Sequence, residues 1–221
     1  MPAASPRPQP AGGRPVRGPT ALLFGLLLVF LLGLIELGVL EFTYARLGIG
    51  HRFFTALLLL SLLGSVVNVP VAAIDTRPPA GGSAAPSVPR QTVIAVNVGG
   101  AVIPTLLALY LLFAHRLFVQ GAAAVAVVAT ISWLLARPVA GVGIAVPVLL
   151  PPFAAAGIAL LLAPDAAPAL AYAAGSLGTL LGADLANLGR IRELESPMVS
   201  IGGAGTFDGV FLTGVFAVLL A

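Results

Sequence analysis

The chain contains no cysteine and no lysine, and only 9% of its 221 residues are charged. Without cysteine, the chain cannot form disulfides, thiolate metal sites, a cysteine nucleophile or covalent haem attachment. All eleven basic residues are arginine, which excludes a Schiff-base lysine and a P-loop lysine. The few remaining polar side chains cannot cover the surface of even one water-soluble domain.

Apolar residues dominate the composition instead. They make up 59% of the chain, and the mean hydropathy of +1.08 lies outside the range of ordinary globular domains. The formal charge of +3 is spread over scattered single arginines, which is typical of membrane-protein loops rather than of a nucleic-acid surface. The sequence therefore predicts an integral membrane protein that contacts the lipid bilayer and no nucleic acid.

Hydropathy divides the chain into a short tail and seven apolar segments. Residues 1–20 are rich in Pro, Gly and Ala and are predicted to be disordered. Residues 21–221 are predicted to form an all-α, polytopic transmembrane bundle, because about 20 apolar residues match a hydrocarbon core of about 30 Å. The predicted spans lie near residues 21–40, 53–74, 92–114, 121–136, 139–163, 168–188 and 206–221. Three prolines, Pro147, Pro151 and Pro152, predict a kinked or broken fifth span.

The placement of arginine predicts the orientation in the membrane. With a cytoplasmic N-terminus, eight arginines fall on the cytoplasmic side, and only Arg46, Arg52 and Arg116 fall on the outer side. Cytoplasmic loops carry an excess of basic residues. The pattern therefore favours about seven spans in the cytoplasmic membrane, with the C-terminus outside.

Polar residues inside the predicted spans are the candidates for function, since an unpaired polar group in hydrocarbon costs several kcal/mol. The predicted topology places Asn68, Asn97, Asp184, Asn187 and Asp208 at one level near the cytoplasmic face. Five polar residues from four helices at one depth indicate a single intramembrane site.

The segment "SIGGAGTFDG", residues 200–209, adds backbone groups to this site. Gly202, Gly203 and Gly205 offer exposed N–H groups in a turn that membrane depth permits only when it is buried in protein or lines an aqueous cavity. Thr206 precedes Asp208 and supports the same site. A structural explanation is equally open, because Thr206 as N-cap and Asp208 in the first turn would stabilise a helix start.

The carboxylates of Asp184 and Asp208 permit three functions. They could share one proton and act as the base and acid of an aspartic-type intramembrane protease, with Asn97 and the turn from Gly202 to Gly205 in support. They could instead bind and release protons or Na⁺ in a small transporter of a small-molecule substrate, with Asn97 and Asn187 as neutral ligands. In the third, they fix helix register or dock a membrane-protein partner. No metal site or cofactor is predicted, because no histidine and acid stand at a ligand spacing.

Four stretches carry a resemblance to a known family: "VNVGGAVIPTLLALYLL", "RPVAGVGIAVPVLLPP", "YAAGSLGTLLGADLANLGRI" and "SPMVSIGGAGTFDGVFLTGVFAVLLA". They resemble a family of prokaryotic multi-pass membrane proteins known only as a domain of unknown function. The resemblance covers most of residues 92–221 and implies a polytopic protein of the prokaryotic inner membrane, without an assigned activity.

A second resemblance is mechanistic. "TFDGVFLTGV" around Asp208 is similar to the Gly-x-Gly-Asp segment of presenilin-like and signal-peptide-peptidase-like intramembrane proteases. "GADL" places Asp184 where those proteins have their first catalytic aspartate. This chain departs from the pattern, since Phe207 stands in place of the second glycine and Ala183 in place of the tyrosine before the first aspartate.

Overall fold

The computed structural model of the chain is mostly helical and describes residues 17–36, 50–75, 91–139, 143–194, 196–203 and 209–221. Within these ranges the α-helices are α1 (Arg17–Glu36), α2 (His51–Gly64), α3 (Ile103–Ala114), α4 (Phe118–Leu135), α5 (Leu150–Leu162), α6 (Ala167–Thr179) and α7 (Gly209–Leu220). The strands are β1 (Asn68–Asp75), β2 (Gln91–Asn97), β3 (Arg137–Val139), β4 (Gly143–Ala145) and β5 (Met198–Ile201). Two helices are long and apolar enough to cross a membrane, Phe118–Leu135 and Pro164–Ile191.

Helix α6 is the central element of the bundle. It packs against α3, α4, α5 and α7, and every residue of Ala167–Thr179 except Leu177 is buried. Small residues make this possible, because Gly178 lies against Val128 of α4 and Gly175 lies against Thr213 of α7. Helix α7 runs antiparallel to α6, with Gly214 beside Tyr172 and Gly209 near Thr179.

A three-stranded sheet lies at the end of the bundle where α2 stops and α3 starts. Its strand order is β1-β2-β5, with β1 antiparallel and β5 parallel to β2. A bulge at Val71 interrupts the β1–β2 ladder next to Pro70, as expected for a residue that lacks the N–H needed for pairing. Thr92 ties β2 to the start of β5, since its hydroxyl donates to the carbonyl of Ser196 at 2.7 Å.

The sheets correct the all-α prediction. The apolar run 53–74 is helical only as far as Gly64, and 92–114 begins with β2 before α3 starts at Ile103. The physical reason is that "VVNVPVAAI" and "TVIAVN" are rich in β-branched residues, which favour strands even where hydropathy is high. In the run 139–163 the helix starts at Leu150, with prolines in its first turn, where the missing N–H is tolerated.

Candidate functional site

Polar groups from four separate segments meet at the end of the bundle that carries the three-stranded sheet. We call this cluster the polar junction, and it comprises Ser65, Asn68, Asn97, Asp184, Ser200 and Gly202. Its hydrogen bonds form two sets, one of Ser65, Asn68, Asn97 and Ser200 and one of Asp184 and Gly202, and the sets meet where Gly100 lies against the Gly202 carbonyl oxygen. The four segments are the α2–β1 connection with the start of β1, the end of β2, the end of the central helix, and β5 with the turn after it. The structure thus brings Asn68, Asn97 and Asp184 of the predicted level together with Gly202 of the predicted turn.

The side chain of Asn97 makes three hydrogen bonds in the polar junction. Its amide nitrogen donates to the Ser65 carbonyl at 2.6 Å and to Asn68 Oδ1 at 3.0 Å, and its Oδ1 accepts the Gly100 N–H at 2.7 Å. The side chain is only 1% exposed. Both amide hydrogens and the oxygen are therefore engaged in protein hydrogen bonds, and Asn97 holds the segments together.

Asn68 links strands that are not neighbours in the sheet. It is the first residue of β1, an edge strand, yet its Oδ1 also accepts the hydroxyl of Ser200 in β5 at 2.5 Å. This side-chain bond crosses the end of the central strand. Asn68 therefore joins β1 to both β2 and β5 through its side chain.

Gly202 connects the polar junction to the carboxylate of Asp184. Its backbone N–H donates to Asp184 Oδ2 at 2.7 Å, a charge-assisted bond when the carboxylate is ionised. Gly202 and Gly203 have φ values of 77° and 96°, in the left-handed region that favours glycine. A Cβ on Gly100 would lie 1.8 Å from the Gly202 carbonyl oxygen, so the two backbones touch and exclude side chains.

Two π-helical segments converge on Gly202. One is Val98–Val102, which contains Gly100, and the other is Leu180–Asp184, which ends at the carboxylate. A π-helical turn inserts an extra residue into a helix and occurs often at functional sites. Here both insertions bend helix ends toward the same glycine.

Two further predicted residues, Asn187 and Gly203, bond within their own segments instead of joining the polar junction. Asn187 is buried, and its amide nitrogen donates to the carbonyls of Gly182 and Ala183, each at 3.0 Å, so it caps its own helix. Gly203 donates its N–H to the Ser200 carbonyl at 3.2 Å, which closes the turn after β5. Gly205, Thr206 and Asp208 lie outside the described residues.

A family model described as "Protein of unknown function (DUF1614)" matches residues 62–220. The chain belongs to the DUF1614 family. The match includes every member of the polar junction, and it confirms the predicted membership of a family of unknown function. No curated protein and no solved structure matches the chain.

A row of buried hydroxyl groups extends from Asp184 along the central helix of this DUF1614 chain. Thr179 and Ser132 of α4 are buried and have no hydrogen-bond partner within the described residues, whereas the buried Ser176 shares a side-chain hydrogen bond with Tyr172. Tyr172 is one turn before Ser176. A Cβ on Gly214 of α7 would approach both of them, at 3.1 Å from the Tyr172 ring and 2.3 Å from Ser176 Oγ. The row therefore faces α7.

Sequence reasoning missed the serines of the polar junction in this DUF1614 chain. Ser65 contributes a backbone carbonyl and Ser200 a hydroxyl, and Ser61 donates to the carbonyl of Gly99 in the π-segment. The only available signal was their position beside Asn68, Gly99 and Gly202. In the part of the chain that the structure describes, no three His, Asp or Glu residues are grouped to bind a metal ion.

Proposed function

We propose that this DUF1614 chain is a small proton- or cation-coupled transporter of the prokaryotic inner membrane, with seven spans and a cytoplasmic N-terminus. In this proposal Asp184 binds and releases the ion. The observation that carries the proposal is the continuation of a half-buried carboxylate into a row of buried hydroxyls on the same helix, in which Thr179 has no hydrogen-bond partner within the described residues.

The surface of the bundle supports placement in a bilayer. Large apolar side chains are exposed on several of the described helices, for example Val29 at 68%, Val119 at 79% and Leu161 at 79%. Apolar patches of this extent are rare on soluble monomers. Lipid would cover them, and the central helix would then be shielded from lipid by its neighbours.

The hydroxyl row supports movement of a proton or ion through the bundle. A polar group in hydrocarbon without a partner is costly, and buried water usually satisfies such groups. From Tyr172 to Asp184 the row covers twelve residue steps, about 18 Å at the helical rise of 1.5 Å. Water bound along it would give protons a continuous route across more than half of the hydrocarbon thickness.

The fixed position of Asp184 supports its role as the exchanging group. The Gly202 N–H favours the ionised carboxylate, while a proton or cation arriving from the row competes for the same oxygens. Ionisable residues within spanning segments commonly mark ion pathways. A carboxylate held by a backbone donor can therefore alternate between an ionised and an occupied state.

An aspartic-type intramembrane hydrolase is the second candidate function, and one observation favours it. The chain on either side of residues 204–208 returns to the end of α6, since Gly202 bonds Asp184 and Gly209 lies near Thr179. In this alternative Asp208 supplies the second carboxylate of a proton-sharing pair with Asp184.

Proton flux into liposomes tests the transporter proposal. The purified protein is reconstituted with a pH-sensitive dye inside, and a potassium diffusion potential drives proton entry. We expect Asp184→Asn to reduce the flux to that of protein-free liposomes, because the amide can still accept the Gly202 N–H but cannot be protonated. Asp165→Asn is the matched control, since Asp165 is an exposed acid between α5 and α6, and it should retain wild-type flux.

Two further variants separate the candidate functions. Thr179→Val removes one hydroxyl of the row at nearly constant volume and should slow proton entry while leaving Asp184 unchanged. If the wild type carries no flux but cleaves co-reconstituted membrane proteins, and both Asp184→Asn and Asp208→Asn abolish cleavage, the hydrolase replaces the transporter. Folded variants that retain full flux without Asp184 would contradict the proposal.

A further inference from the structure

A groove between α3 and α4 lies apart from the polar junction and has a chemistry of its own. Its volume is about 340 Å³, within the range of small-ligand sites. Every residue that lines it is apolar, including Leu109 and Phe113 of α3, Phe118, Ala122 and Val125 of α4, and Leu177 of α6. The groove follows α4 for about two turns, roughly 10 Å.

The groove is open toward the side of the bundle. Phe113 and Phe118 are 65% and 52% exposed, and their rings form an edge-to-face pair with centroids 5.1 Å apart at the end of the groove. Leu177 belongs to the central helix, so the groove reaches the core. An apolar chain entering from the side would contact three helices.

The turn that closes this end of the groove carries a positive charge. It comprises only residues 115–117, between the end of α3 at Ala114 and the start of α4 at Phe118. Arg116 is exposed there and has a φ of 54°, which is uncommon for a residue other than glycine. Its backbone N–H donates to the Phe113 carbonyl at 3.2 Å, and that of Leu117 donates to the Leu112 carbonyl at 2.9 Å. The turn is therefore well bonded, and the guanidinium faces solvent.

We propose that the groove and Arg116 together bind one anionic phospholipid, with an acyl chain in the groove and the phosphate at the guanidinium. This occupant fits because the positive charge of Arg116 complements an anionic headgroup and the apolar lining of the groove complements an acyl chain. Arginine is well suited to bind phosphate oxygens with two parallel hydrogen bonds, and an all-apolar channel suits only a hydrocarbon chain. The inference rests on the membrane placement proposed above, but it does not depend on ion exchange at Asp184.

Native mass spectrometry of the detergent-solubilised chain tests the site. The protein is titrated with phosphatidylglycerol or with phosphatidylcholine of the same acyl chains, and the fraction carrying one lipid is measured. We expect about a five-fold preference for phosphatidylglycerol, the factor that one basic residue confers at an anionic lipid surface. Arg116→Gln should abolish the preference, and Arg116→Lys should restore most of it.

Matched variants distinguish lipid binding in the groove from nonspecific lipid binding elsewhere on the protein. Ala122→Phe fills the groove and should remove the single bound lipid of either type, whereas Ala123→Phe places the same ring on an adjacent exposed position of α4 that does not line the groove. Arg137→Gln removes an exposed arginine of β3 and should leave the preference unchanged.

Two results would overturn the lipid site. One is equal binding of phosphatidylglycerol to wild type and Ala122→Phe, and the other is an equal loss of preference in Arg116→Gln and Arg137→Gln. Asp184→Asn distinguishes this inference from the transporter proposal, because it should lose proton flux and keep the lipid. A wild-type protein that shows the lipid preference but no proton flux would reject the transporter alone.

Discussion

Gly202 shows how backbone groups rather than side chains build the candidate site. Its N–H bonds Asp184, its carbonyl oxygen lies against Gly100, and its φ of 77° requires a left-handed backbone. A Cβ on Gly202 would also lie 2.5 Å from the backbone nitrogen of Ala101. Two of these constraints select glycine at position 202, namely the left-handed φ and the lack of space for a Cβ beside Ala101.

Gly100→Ala tests the close approach of the two backbones. The added methyl group would meet the Gly202 carbonyl oxygen, so we expect the free energy of unfolding to fall by at least about 2 kcal/mol, as for other overpacked sites. Gly157→Ala is the control, because a Cβ on Gly157 meets nothing within 4 Å and the residue lies inside α5. That change should stabilise the helix by about 0.5–1 kcal/mol.

Unfolding in detergent, followed by circular dichroism, measures both glycine variants. Equal stability of the wild type and Gly100→Ala would show that the π-segment can move away from Gly202, which the proposed packing does not allow.

At the residue scale, the order of apolar segments predicts Asn68, Asn97, Asp184, Asn187 and Asp208 at one level, and the first three of these belong to the polar junction. The depth of a residue in the membrane does not predict which way its side chain points around the helix. Asn187 is only three residues from Asp184, but its side chain bonds elsewhere. Its amide nitrogen donates to the carbonyls of Gly182 and Ala183 in the π-segment, so the side chain points back along its own helix.

At the scale of elements, the π-segment Leu180–Asp184 sets the direction of the carboxylate. Deleting Leu181, a residue with 43% exposure, should restore regular α-helical winding and rotate the following residues by about 100°. Asp184 would then leave Gly202, and we expect proton flux to fall and the Gly202 amide to exchange its hydrogen faster.

Leu181→Ala provides the control for this deletion, because it shortens the same side chain without changing the helical register. Hydrogen exchange of the peptide that covers β5 and Gly202 measures the effect. Unchanged protection after the deletion would mean that the π-segment does not position Asp184.

Hydropathy could predict helices but could not exclude strands. The segment "VVNVPVAAI" is as apolar as a spanning helix, and only its β-branched residues and Pro70 favour an extended chain. The pairing of β2 with β5 joins residues about a hundred positions apart, for example Val93 with Met198. A single sequence carries no signal for that register, because both strands are short and apolar on each face.

At the scale of the whole molecule, the proposed topology predicts which segments are exposed on each side of the membrane. The chain has no cysteine, so a single introduced cysteine reports its own location. Asp165→Cys, between α5 and α6, should react with a membrane-impermeant maleimide in intact cells. Ser87→Cys, in the predicted cytoplasmic loop, should react only after permeabilisation. The reverse labelling pattern would show that the orientation is the opposite of the one proposed. Labelling of both cysteines in intact cells would show that the chain has one span fewer between them.

The parallel pairing of β5 with β2 also has a consequence for biosynthesis. Thr92 and Ser196 are 104 residues apart in sequence, and Asn68 and Ser200 are 132 apart. During synthesis, Asn68 and Asn97 therefore leave the ribosome long before Ser200 is made. Contacts of such separation form late and slowly. The carboxylate of Asp184 is therefore fixed only when the final strand closes the sheet. Assembly of the site therefore waits for the synthesis of Ser200 and Gly202, and until then Asn68 and Asp184 lack these partners.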